Sequence, residues 1–327
     1  MPDPNLNPDP VPLPGPEKFL SCDWGTSSFR LRLVELRTGN PTVLAVLKND
    51  KGIADTFEGW RTTGEERISF YRSFLQAAIK NLQGTSSLSG IPIIISGMAS
   101  SSIGLKELPY APLPFDTEGE GLYWETFEAT EQYPHQTLLI SGVRSAEDVM
   151  RGEETQLLGC AATNPRQEQI FIFPGTHSKH IRIKEGRVVD FSTYMTGEFF
   201  ALLSKHSILS GSITAGAEPH TRLGFYQGVA ASIHASLLHQ SFLVRTRQLL
   251  GKMPKEENYA YLSGLLIGAE CNELAGTRTP ITLVSEGALL AYYSRAFKIL
   301  GITGVETQDL DQAVIRGQAK IARFLGK

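Results

Sequence analysis

The stretch that decides the fold is Lys18-Phe19-Leu20-Ser21-Cys22, Asp23-Trp24-Gly25-Thr26-Ser27-Ser28, Phe29-Arg30-Leu31-Arg32-Leu33-Val34: apolar strand, small-residue turn, second strand. A stretch of the same kind lies about half a chain further on. It runs Ile170-Phe171-Ile172-Phe173, then Pro174-Gly175-Thr176-His177-Ser178-Lys179, then His180-Ile181-Arg182-Ile183. Both read as hairpins whose tips expose backbone N–H groups and hydroxyls. Successive amide dipoles form an anion-binding nest, and glycine lets the backbone approach a ligand closely, so such tips suit phosphate. Two of them imply two walls gripping one polyphosphate.

Working outward, each hairpin opens a similar run of elements. Strands are expected over Phe19–Asp23, Phe29–Leu36 and Val43–Leu47, with turns at Gly25-Thr26-Ser27 and Thr38-Gly39-Asn40-Pro41. Glu65–Leu82 is expected to be helical, because Ile68, Tyr71, Phe74, Leu75, Ala78 and Leu82 recur on one face. Ile91–Ile95 and Thr137–Ile140 read as strands covered on both faces. The second set comprises a short helix at Glu153–Gly159 and strands at Ile170–Phe173, His180–Lys184 and Val188–Ser192, with Glu185-Gly186 as a tight turn. Helices follow over Gly224–Leu250 and Tyr259–Leu274, then a strand at Ile281–Val284 and helices at Gly287–Leu300 and Asp309–Leu325. The second half thus repeats the first in outline, which predicts a duplicated α/β architecture with a cleft between halves.

Bulk properties narrow the function. The chain has 327 residues, enough for two domains, with 41% hydrophobic and 20% charged residues. A formal charge of −3 argues against binding nucleic acid through its backbone. Cys22, Cys160 and Cys271 are scattered, which suggests reduced thiols, with Cys22 a packed core residue. Prolines crowd residues 1–17, expected to be a disordered leader lacking the pattern of a secretory signal. No apolar run approaches membrane-spanning length. The expectation is a cytoplasmic protein without nucleic-acid or membrane partners; homo-oligomer formation is left open.

Walker, dinucleotide-binding, zinc-protease and nucleophile-elbow motifs are all absent. What remains is the chemistry of the turns. Asp23 suits a Mg²⁺ ion held through bridging water, with Thr26, Ser27 and local amides on phosphate oxygens. The bland alternative is a turn whose Asp and Ser bond their own backbone. Lys179 or His177 would add positive charge, although a histidine in a polar turn more often only donates a hydrogen bond. Arg144 precedes an acidic segment, Glu147-Asp148 to Glu153-Glu154, and Arg151 lies within it; an arginine fork suits a carboxylate ligand, and a salt bridge to Glu147, Asp148 or Glu153 is the structural alternative. Glu153 and Glu154 in a first helical turn also offset the helix macrodipole.

The paired turns resemble the phosphate 1 and phosphate 2 hairpins of the sugar kinase, heat-shock protein 70 and actin superfamily. The chain is more similar still to the 2-dehydro-3-deoxygalactonokinases, from Phe19 onward. The stretches carrying this resemblance are Asp23–Ser28, Ser96-Gly97-Met98-Ala99-Ser100, Ser141-Gly142-Val143-Arg144, Asp148–Glu154, Pro174–His180 and Tyr194-Met195-Thr196-Gly197-Glu198. The resemblance implies two ribonuclease H-like (actin-like ATPase) domains, over 18–145 and 146–327, with a nucleotide cleft between them. It also implies ATP- and Mg²⁺-dependent phosphorylation of 2-dehydro-3-deoxy-D-galactonate at its 6-hydroxyl.

Under that resemblance the phosphates meet Asp23, Gly25, Thr26, Ser27, Ser28, Gly175, Thr176, His177, Ser178 and Lys179. The sugar acid meets Gly97, Met98, Ala99, Ser100 and Arg144. Ser285, Glu286 and Gly287 take the place of the adenosine turn, where relatives carry Gly-Gly or Gly-Ser. Related sugar kinases hold an aspartate before the second hairpin; here Glu153 stands in that place, with Asp148 as the alternative base. Ser263–Ala269 is expected to be a connector helix whose small residues allow close packing. The rival readings are another sugar or sugar-acid kinase of this fold, a non-catalytic nucleotide or sugar sensor, and an esterase using Ser100 or Ser178.

Overall fold

A computed structural model describes residues 15–36, 41–82, 88–160 and 167–325. The expected leader as far as residue 14 and most of the turn at 38–40 lie outside them. The first hairpin forms β1 (Lys18–Trp24) and β2 (Phe29–Leu36), continued antiparallel by β3 (Pro41–Asn49). Helices α1 (Ile53–Arg61) and α2 (Arg67–Leu82) follow, then β4 (Ile93–Gly97) parallel to β1. Short strands β5 (Ala111–Pro112), β6 (Phe115–Asp116) and β7 (Trp124–Phe127) precede β8 (Thr137–Ile140), which lies parallel to β4. Strands β9 (Val143–Arg144) and β10 (Val149–Met150) lead into α3 (Glu153–Gly159).

The second half begins with β11 (Gln169–Phe173), β12 (Ser178–Lys184) and β13 (Arg187–Tyr194), an antiparallel meander. Its second turn is a tight one, with Glu185 at φ 51° and Gly186 at φ 71°. Helices α4 (Thr196–His206), α5 (Leu223–Ser232), α6 (Leu237–Leu249) and α7 (Lys255–Cys271) come next. Strand β14 (Ile281–Val284), α8 (Gly287–Leu300), β15 (Glu306–Gln308) and α9 (Leu310–Ala322) complete the described chain.

The two large sheets share one order. It is β3-β2-β1-β4-β8 in the first and β13-β12-β11-β14-β15 in the second, with β7 and β6 added at opposite edges. A three-strand meander followed by two parallel strands, twice over, is the duplicated ribonuclease H-like topology of actin-like ATPases. The expected α/β fold class is therefore the one observed.

Alternation along the strands explains the layers. Leu20, Cys22, Ile93, Ile95 and Leu139 face α1 and α2, whereas Phe19, Ile94, Leu138 and Ile140 face a central core shared with α3 and α9. In the second sheet Ile170, Ile172, Ile281 and Leu283 face α5, α7 and α8, while Phe171, Phe173 and Ile181 join the same central core. Both faces are covered, so these strands read as unbroken apolar runs. Helix α2 buries Tyr71, Leu75, Ala78, Ile79 and Leu82, one stripe of a 3.6-residue period. Among the described residues no helix is long and apolar enough to cross a membrane.

Two expectations need correction. The stretch Gly224–Leu250 is not one helix: it breaks between Ser232 and Leu237. Ser232 Oγ bonds back to the Val229 carbonyl at 2.7 Å, a local bond that competes with helix continuation. The small residues of Ser263–Ala269 do allow close helix packing as expected, Gly264 and Gly268 of α7 meeting Phe225 and Val229 of α5, but that contact lies within the second half rather than between the halves. The close crossing in the central core belongs to α3 and α9. A Cβ on Gly159 would lie 1.8 Å from the Ala313 carbonyl oxygen, and one on Gly317 would lie 1.8 Å from that of Thr155.

Candidate active site

The first turn is held from behind by α1, a helix that the residue pattern does not announce. The α1 amides of Ile53 and Ala54, which have no partner inside their own helix, donate to the carbonyls of Gly25 (2.9 Å) and Thr26 (3.1 Å). Only glycine fits just before that helix, since a Cβ on Gly52 would sit 2.4 Å from the Thr26 oxygen. With its carbonyls so engaged, the turn brings Asp23, Gly25, Thr26 and Ser28 to the edge of a cleft. Ser27 is exposed and does not line it.

The second turn is tied down by a buried relay. Gly175 N donates to Ser178 Oγ at 3.3 Å, and Ser178 Oγ lies 2.9 Å from the Tyr293 hydroxyl. Tyr293 donates to Glu270 Oε2 at 2.6 Å, so it accepts from Ser178. Glu270 also accepts from Thr196 Oγ1, at the start of α4, and from His180 Nε2 at 3.0 Å. Burial and the Glu270 carboxylate push the Tyr293 phenol well above its usual range, which keeps it a donor. One carboxylate of α7 thereby fixes β12, α4 and α8. His177 is exposed and pairs with Glu198, whose own amide donates to Thr176 O at 3.0 Å.

The cleft between the turns measures about 430 Å³. Glu153 and Lys179 both line it, with Lys179 Nζ 3.6 Å from Glu153 Oε1. Glu153 Oε2 accepts the Arg151 amide at 3.1 Å. Asp23 has its carboxyl raised above the ordinary range, chiefly by burial, against the lowering pull of Arg32 and Arg30. Glu154, next to Glu153, is fully buried and accepts from Gly152 N (2.7 Å) and Thr155 Oγ1 (3.0 Å); burial, then Glu153, pushes its carboxyl up to about 7. Asp148 is differently placed. Its carboxylate accepts from Val149 N (2.7 Å), Thr193 N (2.7 Å) and Thr193 Oγ1 (2.8 Å), and it is not part of the cleft lining.

Gly97, Met98, Tyr110 and Arg151 also line the cleft. Gly97 turns at φ 89°, with the Trp24 carbonyl 2.7 Å from where its Cβ would be, so glycine is required. Ala99 and Ser100 are fully buried, and Ser100 receives bonds from the Arg151 guanidinium on both its carbonyl and its hydroxyl. Arg144 is exposed and lies outside the cleft lining.

A second, apolar cavity of about 100 Å³ adjoins the second turn, lined by Gly197, Phe200, Tyr259, Leu289, Tyr292 and neighbours. Gly175 borders both cavities. Ser285 is buried, its amide on the Gln308 carbonyl at 3.1 Å, and Gly287 turns at φ 56° into α8, which supplies Leu289 and Tyr292 to the apolar wall. Glu286 reaches Arg30 at 3.1 Å, and Arg30 and Arg32 of β2 both bond Asp311 of α9. Tyr110, Gly52 and Glu270 carry no local sequence signal, because each acts on residues distant in the chain.

Two facing phosphate-type turns in a duplicated ribonuclease H-like fold, with an acid and a lysine between them, define a phosphotransferase of the actin-like ATPase class. A family model described as 2-keto-3-deoxy-galactonokinase matches residues 23–321, and the chain belongs to that family. A Rhizobium meliloti (strain 1021) protein named as a probable 2-dehydro-3-deoxygalactonokinase is 33% identical, over 94% of this chain and 97% of its own length. The Escherichia coli (strain K12) 2-dehydro-3-deoxygalactonokinase is 34% identical, over 70% of this chain and 78% of its own. A Sinorhizobium meliloti crystal structure, named as a candidate enzyme of the same kind, superposes with a TM-score of 0.79 at 31% identity, covering 94% of this chain and 97% of that one.

Proposed function

We propose that this enzyme transfers the γ-phosphoryl group of ATP to the 6-hydroxyl of 2-dehydro-3-deoxy-D-galactonate. One observation carries the nucleotide placement: Gly175 borders both the apolar cavity and the polar cleft. A base seated against Phe200, Tyr259 and Tyr292 would have its phosphates pass that glycine into the space between the turns. Gly25, Thr26 and Ser28 then serve one side of the polyphosphate, and Gly175, Thr176 and Lys179 the other. Residues 18–145 and 146–327 act as the two lobes, and ATP and sugar acid meet in the cytoplasm.

Glu153 is the proton acceptor for the sugar hydroxyl in this reading, supported by its place in the cleft beside Lys179. Asp148, tied to Thr193, has a holding role. Asp23 fits a magnesium site held through water: it lines the cleft beside Gly25 and Thr26, where a cation would lie between its carboxylate and phosphate oxygens. The ion, when bound, neutralises phosphate charge as transfer proceeds. Closure around Gly97 and Gly152, whose backbones nearly touch, would exclude water as a competing acceptor.

A coupled assay for ADP, with ATP, Mg²⁺ and a panel of sugar acids and neutral sugars, tests this. Turnover confined to 2-dehydro-3-deoxygalactonate supports it. Preference for a different sugar, or nucleotide binding without transfer to any, rejects it.

A further inference from the structure

We propose that Arg151 selects the substrate by its carboxylate, so that the enzyme discriminates sugar acids from neutral sugars through this one side chain. The inference rests on the sugar-acid kinase reading above and adds the residue that sets substrate class. The sequence alone favours Arg144 for this role, but Arg144 is exposed outside the cleft.

Arg151 lines the cleft beside Gly97 and Met98. Its Nη1 donates to both the carbonyl and the hydroxyl of Ser100, and its guanidinium lies 4.3 Å from the centre of the Tyr110 ring. Those contacts fix the plane of the fork. They leave the Nε–Nη2 edge unpaired, and Nε is buried without a hydrogen-bond partner. No carboxylate lies within salt-bridge distance of this guanidinium among the described residues; the half-buried Arg67, Arg72, Arg245 and Arg247 share that state, but of this group only Arg151 lines the cleft. A half-buried guanidinium with a fixed plane, an unpaired Nη2 and no carboxylate partner is arranged to meet an anion in the cleft.

The geometry separates two jobs. The carboxylate and the reacting hydroxyl stand at opposite ends of the proposed six-carbon substrate. Arg151 reaches toward Ser100 and Tyr110, while Glu153 reaches toward Lys179 and the phosphate turns. A ligand spanning the two would hold its acid end on the arginine and its hydroxyl end near the base. A neutral sugar would leave the guanidinium charge in the cleft without a counter-charge, the kind of mismatch that gives strong discrimination.

The test compares wild type, Arg151→Gln, Arg151→Lys and Arg144→Gln on 2-dehydro-3-deoxygalactonate and on its primary amide. Thermal unfolding and binding of a fluorescent ATP analogue serve as folding checks. Wild type should favour the acid on the order of 100-fold or more in kcat/KM. Arg151→Gln should lose most of that preference, KM rising far more for the acid than for the amide, with nucleotide binding little changed; Arg151→Lys should fall between. A purely structural arginine would lower turnover of acid and amide together, which overturns the inference. So does preference lost in Arg144→Gln and retained in Arg151→Gln. If wild type turns over neither compound, the kinase reading itself fails, a result distinct from either.

Discussion

The Tyr293 hydroxyl donates to Glu270 Oε2 at 2.6 Å, with both side chains buried behind the turn at Pro174–Lys179. Because Tyr293 also accepts from Ser178, and Ser178 from Gly175 N, the turn is coupled to α7 through a hydroxyl relay.

Tyr293→Phe removes the middle of that relay and leaves Glu270 and Ser178 each short of a partner. The expected cost is about 1–3 kcal/mol in urea unfolding, together with a several-fold rise in KM for ATP. An unchanged KM would show that the turn keeps its shape without the relay.

Gly317→Ala tests the helix crossing. Its new methyl group would meet the Thr155 carbonyl oxygen at 1.8 Å, contact with backbone that no side-chain rotation relieves. We expect a loss of about 3 kcal/mol or more, read as a lowered denaturation midpoint.

Glu153→Gln and Asp148→Asn separate the two acids. The first should lower kcat by roughly 100-fold or more while KM for ATP stays within a few fold. The second should cost about 1–2 kcal/mol of stability, by weakening the bonds from Thr193, and leave kcat within a few fold. Reversed phenotypes would make Asp148 the base.

Stability should also depend on Glu154. Its folded-state carboxyl is raised from an ordinary 4.5 to about 7, so between those values the folded chain holds a proton that the unfolded chain has released. Its contribution is therefore complete below about pH 4.5 and is lost as pH rises through 7. Glu154→Gln, which cannot ionise, should gain on wild type across that window, by about 1.4 kcal/mol for each step of one in pH. Parallel stability curves for the two proteins from about pH 5 to 8 would contradict this.

Local chemistry carries the strands a long way. Thr137–Ile140, Ile281–Val284 and Glu153–Gly159 begin and end where the residue pattern places them, and Phe29–Leu36 does the same. These segments are legible because their period, glycines and apolar runs are set by neighbours within a turn or two. Helix α1 is not legible, because Ile53–Arg61 buries only Ile53 and Thr56, too narrow a stripe to signal a helix. Its purpose becomes visible only where its N-terminal amides meet Gly25 and Thr26.

The site divides in the same way. The two turns, Asp23–Ser28 and Pro174–Lys179, are readable because the same small, hydroxyl-bearing turn after an apolar strand occurs twice, half a chain apart. By itself the sequence thus determined a duplicated α/β fold with two phosphate-type hairpins. Which carboxylate faces the cleft was decided by Thr193, far along the chain, which takes up Asp148 and leaves Glu153 beside Lys179. Which arginine enters the cleft was decided by Ser100 and Tyr110. Such choices rest on long-range packing, and a local pattern cannot encode contacts between residues that only the tertiary fold brings together.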